Sequence, residues 1–198
     1  FSSADNKESD VTHGQLGLFK QLTESYQGDK SLANSAGIIA WPESISDWVR
    51  PGIMLYGVSP FSETCGVDLG LKPVMSLYAR IISVKTIKAG EAVGYSGTWV
   101  CKNETRLGVV AIGYGDGYPR SVKSGTPVLV NGKRVPLIGR VSMDMITVDL
   151  SSQPESKAGD KVTLWGDGLP VEEVARYAGT IPYTLLCGVT QRVVIKVC

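Results

Sequence analysis

The sequence predicts a short α/β segment followed by a mainly β domain of barrel or sandwich type, with the change near residue 72. Three observations carry that reading. Up to residue 57 helical and strand-like stretches alternate; beyond residue 73 the apolar runs are short and strand-like; and Asn131-Gly132 joins two such runs, a strong hairpin signal.

The first element is a helix from Asp10 to Tyr26, where Val11, Leu16, Leu18, Phe19 and Leu22 roughly fit one helical face and Asp10 or Thr12 supplies a cap. After the Gly28-Asp29 turn, LANSAG reads as a strand ending at Asn34-Ser35. A short helical stretch follows through Pro42 and Glu43, and DWVRPGIMLYG reads as a buried strand. Beyond it, residues 74–87, 106–112, 126–130, 133–139, 141–150, 161–166 and 191–197 all read as strands, and only VEEVARYAG, residues 171–179, as a helix. The expected domains are therefore 1–72 and 73–198. The first is too short to close a sheet of its own, so sequence upstream of Phe1 is expected.

Composition bounds the function. The chain has 198 residues, 43% of them hydrophobic, enough for a core. Lys and Arg number 20 against 19 Asp and Glu, and no block of like charge advertises nucleic acid or an anionic membrane. No apolar run approaches the roughly 20 residues of a membrane span, and FSSADNKESD lacks the features of a signal peptide. Cys65, Cys101, Cys187 and Cys198 are scattered without C-x-x-C spacing, and the single His13 gives them no zinc partner, so free thiols and a cytoplasmic location are expected.

Three clusters stand out. Asn34-Ser35 with Arg50-Pro51-Gly52-Ile53 sets small residues and backbone N–H groups at the ends of strands, which suits either a phosphate cradle or plain strand-to-loop turns. Tyr95, between Gly94 and Ser96-Gly97, stands on a glycine-flanked tip, either presented to another surface or capping a sheet end. A phenol is a poor base near neutral pH unless positive charge lies close by. In the third cluster Tyr114 and Tyr118 flank a Gly-Asp-Gly turn, with Arg120, Arg140 and Asp144 as charges for the same region or for surface ion pairs.

LANSAG, DWVRPGIMLYG, VGYSGTW, AIGYGDGYPR and GRVSMDM together resemble, in order and approximate spacing, the alanine racemases, fold-type III pyridoxal-phosphate enzymes. The resemblance covers essentially the whole chain and implies the C-terminal end of a (β/α)8 barrel over residues 1–72 and the family's β-domain over 73–198. It implies pyridoxal 5'-phosphate as cofactor, attached to a lysine in an A-V-x-K-A-N-A-Y-G-like segment. These residues contain no such segment, so that lysine is expected upstream, as is a histidine just before Phe1.

Carried over by motif, Tyr95 resembles the base that exchanges the α-proton on one face of alanine, the absent lysine serving the other. Arg50 resembles the residue facing the pyridine nitrogen. A guanidinium keeps its protons, so it restrains the ring as an electron sink. Ser35 and the N–H groups of Gly52 and Ile53 resemble phosphate ligands. Met143 resembles the residue whose N–H meets the substrate carboxylate, while Asp5, Tyr114, Arg120 and Arg140 resemble the lining of the substrate's access route. Gln191 departs from the pattern, since some members carry a phosphate-binding tyrosine there.

The resemblance further implies a head-to-tail homodimer in which Tyr95 and Met143 serve the partner's cofactor, and a role in supplying D-alanine for peptidoglycan, with the fragment alone inactive. A serine or broad-specificity racemase of the same fold remains an alternative, as does a non-catalytic β-barrel binding module, against which the even charge argues.

Overall fold

The computed structural model describes residues 1–197, so Cys198 lies outside the described residues. The chain divides into two compact units after Val74.

In the first unit, α1 (Asp10–Leu22) begins at Asp10 as expected but is capped by Ser9 rather than by Asp10 or Thr12, the Ser9 side chain accepting from the Val11 N–H at 3.3 Å. It stops short of Tyr26, where the N–H and hydroxyl of Thr23 both turn back to the Phe19 carbonyl. Its inward face runs through Thr12, Leu16 and the half-buried Phe19, while Val11, Leu18 and Leu22 are exposed. The positions grouped as one face from sequence are thus split, because the 12–16–19 spacing decides which side turns inward. Leu16 joins Ala4, Ala36, Trp41 and Phe61 in a small core, and the Trp41 indole donates to the Ala4 carbonyl at 2.9 Å.

Strand β1 (Ser31–Asn34) runs into α2 (Ser35–Ala40), capped by Asn34, whose Oδ1 accepts from the Gly37 N–H at 2.9 Å. β1 pairs in parallel with β2 (Trp48–Arg50). β2 is three residues long and exposed throughout, where a longer buried strand was expected. Pro51 has no N–H with which to extend the ladder, and the chain bends into a 3-10 turn at Ile53–Tyr56.

The second unit is a closed barrel. Its strands are β3 (Leu77–Ile87), β6 (Thr105–Val110), β7 (Pro127–Val130), β8 (Lys133–Ile138), β9 (Ile146–Asp149) and β10 (Lys161–Trp165), and a separate short ladder joins β4 (Ala92–Val93) to β5 (Trp99–Val100). The barrel order is β10-β3-β6-β9-β8-β7, all antiparallel, and β7 returns to β10. Asn131 and Gly132 both take left-handed angles, φ 49° and 80°, in the β7–β8 turn that the sequence predicted. Val110, Val128, Val130, Leu137, Val148 and Leu164 fill the interior.

Helix α3 (Val171–Ala178) buries Val171, Val174, Ala175 and Ala178, an i, i+3, i+4, i+7 stripe. Each valine so buried contributes about 1.5–3 kcal/mol. The glutamates of its first turn suit the helix dipole, and Glu173 accepts a two-bond clasp from Arg134.

Three expectations change here. Residues 141–145 form a loop instead of the start of a strand, because the Ser142 hydroxyl captures both the N–H and the carbonyl of Met145 and β9 begins only at Ile146. Residues 191–197 form no strand: a closed barrel has no free edge to receive one, and Val194 and Ile195 stay exposed. A second helix, α4 (Pro182–Gly188), follows α3; Pro182 breaks an apolar pattern yet is well suited to a first helical turn. Cys65, Cys101 and Cys187 are free thiols.

Candidate active site

The turn between β4 and β5 carries Tyr95 at its head. Residues Tyr95–Gly97 form one 3-10 turn, entered through Gly94 at φ 77° and holding Ser96 at φ 62°. A left-handed serine is uncommon outside tight turns. Tyr95 is 66% exposed, so its phenol stands on an open tip. Gly94 is packed against the backbone of Arg140, which sets the Tyr95 turn beside the Gly139–Arg140 loop.

That same loop runs on to Met143, and a second 3-10 turn, Tyr114–Asp116, is fastened to it. The Tyr114 N–H donates to the Ser142 carbonyl at 3.0 Å and the Gly115 N–H to the Met143 carbonyl at 2.8 Å. Gly113 must be a glycine for this approach, since a Cβ there would sit 2.3 Å from the Ser142 oxygen and 2.4 Å from that of Met143. The Met143 N–H itself donates to nothing among the described residues, leaving a free backbone donor on an exposed residue. Tyr95, Tyr114, Arg140 and Met143 are thereby gathered on adjoining loops, all with exposed side chains. Arg120 is also exposed, four residues past Asp116.

Tyr118, the other tyrosine of this cluster, is fully buried and stacked on Trp165 with ring centroids 6.0 Å apart. Burial pushes its phenol well above the ordinary tyrosine range, so it is unsuited to trade protons near neutral pH. Two residues that sequence reasoning left aside complete the cluster. Arg192 bonds Asp144 at 2.6 Å and lies 3.3 Å from Asp116, and Thr190 donates to the Gly115 carbonyl at 2.8 Å. Arg192 and Asp144 are 48 residues apart, a separation no local pattern bridges.

The first unit gathers the other group. The Ser35 hydroxyl, nearly buried, accepts from the Gly52 N–H at 2.9 Å and from the Met54 N–H at 3.3 Å. A Cβ on Gly52 would meet nothing within 4 Å, so the space beside it is open. The Ile53 N–H, at the start of its turn, donates to no acceptor among the described residues. Arg50 leans on β1, donating to the carbonyl of Ser31 at 2.9 Å and to its hydroxyl at 2.6 Å. A hydroxyl, an unpartnered N–H and an open glycine face fit a phosphate group, with Arg50 two residues away. The Gly52 N–H is already given to Ser35. Asp5 is exposed in the turn before α1, and Gln191 is exposed near the C-terminus.

Residues 74–197 match the family model described as alanine racemase, C-terminal domain, and residues 1–60 match alanine racemase, N-terminal domain. The chain belongs to the alanine racemase family. It is 58% identical over 196 residues to the alanine racemase of Aeromonas hydrophila, covering 99% of this chain and 55% of that protein. The biosynthetic alanine racemase structure from Pseudomonas aeruginosa superimposes with a TM-score of 0.94 at 51% identity, covering 98% of this chain and 54% of that one. The alanine racemase of Bartonella henselae, solved with covalently bound pyridoxal phosphate, has a TM-score of 0.85 at 33% identity, covering 97% and 53%. The chain thus spans about half the length of the alanine racemases it matches.

Proposed function

We propose that this chain is part of a pyridoxal-phosphate-dependent enzyme that interconverts L-alanine and D-alanine, with Tyr95 as the proton-transfer group on one face of the substrate. The observation that carries the reading is the gathering of an exposed phenol, an unpartnered Met143 N–H and the Tyr114 turn on adjoining loops, in a chain more than half identical to an alanine racemase.

Each residue has a part in that reading. The Met143 N–H donates to the alanine carboxylate, and Arg120 and Arg140 draw that anion in along an access route shared with Tyr114 and Asp5. Fixing the carboxylate and Cα in this way lets one rigid donor and acceptor, the Tyr95 hydroxyl, face the α-hydrogen. Ser35 and the N–H groups of Gly52 and Ile53 hold the phosphate of the cofactor, Gly52 turning from Ser35 to do so, and Arg50 faces its pyridine nitrogen as a donor that never yields its proton. When bound, pyridoxal phosphate supplies the electron sink that makes the α-proton removable.

The 1–72 segment is the end of a (β/α)8 barrel, residues 73–198 are the β-domain, and the Schiff-base lysine lies outside these 198 residues, which are inactive alone. The enzyme works in the bacterial cytoplasm as a homodimer, Tyr95 and Met143 serving the partner's cofactor, and its D-alanine enters peptidoglycan. The test is to give the full-length protein, loaded with pyridoxal phosphate, each alanine enantiomer separately. Both must drift to the racemate; retention of either enantiomer's optical activity refutes the reading.

A further inference from the structure

We propose that Arg192 is a positioning residue for carboxylate recognition, holding the Tyr114 turn and the Met143 peptide in one arrangement by bridging Asp116 and Asp144. The inference rests on the reading of Met143 as the carboxylate-binding peptide.

The bridge spans three separate stretches of chain. Asp116 ends the turn that carries Tyr114, and its Oδ2 accepts from the Gly113 N–H at 2.9 Å. Its Oδ1 lies 3.3 Å from the Arg192 Nε. Asp144 directly follows Met143, and its Oδ1 accepts from the Arg192 Nη2 at 2.6 Å. The guanidinium is itself rooted through Thr190, whose N–H donates to the Asp116 carbonyl at 3.1 Å and whose hydroxyl donates to the Gly115 carbonyl at 2.8 Å. The fork geometry of arginine serves two carboxylates at once, which a lysine ammonium does less well.

Charge gives the bridge a second effect. Asp116 and Asp144 place two negative charges around a peptide N–H whose task is to receive an anion. Arg192 offsets that field, and both carboxylates in turn raise its pKa, the Asp144 hydrogen bond most. The side chains of Arg192 and Asp144 are 46% and 57% exposed. Ion pairs so open to water add little to stability, so the loss of Arg192 is felt at the carboxylate site more than in folding.

The experiment uses the full-length enzyme loaded with pyridoxal phosphate and propionate, which is alanine without its amino group, as a probe read without turnover. Arg192→Ala is expected to weaken propionate and raise KM for both alanine enantiomers by about tenfold, the effect of losing one good charged hydrogen bond. Its kcat, its thermal midpoint and its visible cofactor absorbance per subunit stay close to wild type. Arg192→Lys falls between, and Asp144→Asn added to Arg192→Ala recovers part of the propionate affinity by removing the uncompensated charge.

Unchanged propionate affinity and KM in Arg192→Ala overturn the inference, as does a fall in kcat with both preserved. If Arg192→Ala does not fold, Arg192→Lys decides: wild-type propionate affinity there shows that the bridge geometry is not used. A wild-type enzyme that ignored propionate would take away the Met143 reading and this inference with it, whereas normal wild-type binding left intact by Arg192→Ala overturns the inference alone.

Discussion

Gly94 and Arg140 meet backbone to backbone: a Cβ on Gly94 would come within 3.1 Å of the Arg140 nitrogen, at a φ of 77° that side chains rarely adopt. The residue before Tyr95 is therefore fixed both by its angle and by its neighbour. Gly94→Ala forces the turn away from the Arg140 loop and carries the Tyr95 hydroxyl with it. Small misplacements of a reacting group are costly, so kcat of the full-length enzyme is expected to fall by about tenfold or more. Circular dichroism should show the barrel intact, and steady-state kinetics in both directions checks the rest.

The Gly113 contact predicts a different outcome. Here both blocking atoms are backbone carbonyl oxygens, which cannot swing aside like the end of a flexible side chain. Gly113→Ala should cost about 1–3 kcal/mol in stability, in the range of overpacked sites, and weaken alanine binding through the displaced Met143 loop. Denaturant unfolding of the variant against wild type measures the first effect, and KM the second.

Tyr118 supplies a pH prediction. Its folded-state pKa is raised by burial, so above the ordinary tyrosine value of about 10 the unfolded chain releases a proton that the folded chain keeps. Stability then falls with rising pH and is unaffected by this group below that value. Tyr118→Phe removes this alkaline decline. Because the Tyr118 hydroxyl makes no hydrogen bond among the described residues, its removal is expected to leave stability near neutral pH unchanged or slightly higher. Unfolding curves for both proteins, taken on either side of pH about 10, test the difference.

Parts of this molecule were readable in the chain because their signals are local. Asn131-Gly132 announces a type of turn that needs two left-handed residues, and both adopt those angles. The exposed tip at Tyr95 was legible from its flanking glycines. What failed depended on distant partners. Residues 191–197 have the composition of a strand, yet a closed barrel offers no edge to pair with them. Leu18 and Leu22 are as apolar as Leu16, but only the side of α1 turned to Trp41 and Phe61 is buried. Arg192 was invisible as part of the site because its carboxylates come from two turns far away in sequence. Tyr118 and Tyr114 sit four residues apart around one turn and differ entirely in burial, which the turn itself does not announce.

The most direct test of Tyr95 is the rate at which the Tyr95→Phe variant of the full-length enzyme interconverts the two alanine enantiomers, read alongside exchange of the α-hydrogen with solvent deuterium. Removing a positioned acid–base group costs about 10²–10⁴-fold, and because racemisation needs both faces, the loss must appear starting from either enantiomer. Solvent exchange should persist on one enantiomer only, the one whose proton is taken by the other base. A variant that racemises alanine within a few-fold of the wild-type rate in both directions would contradict the assignment of Tyr95.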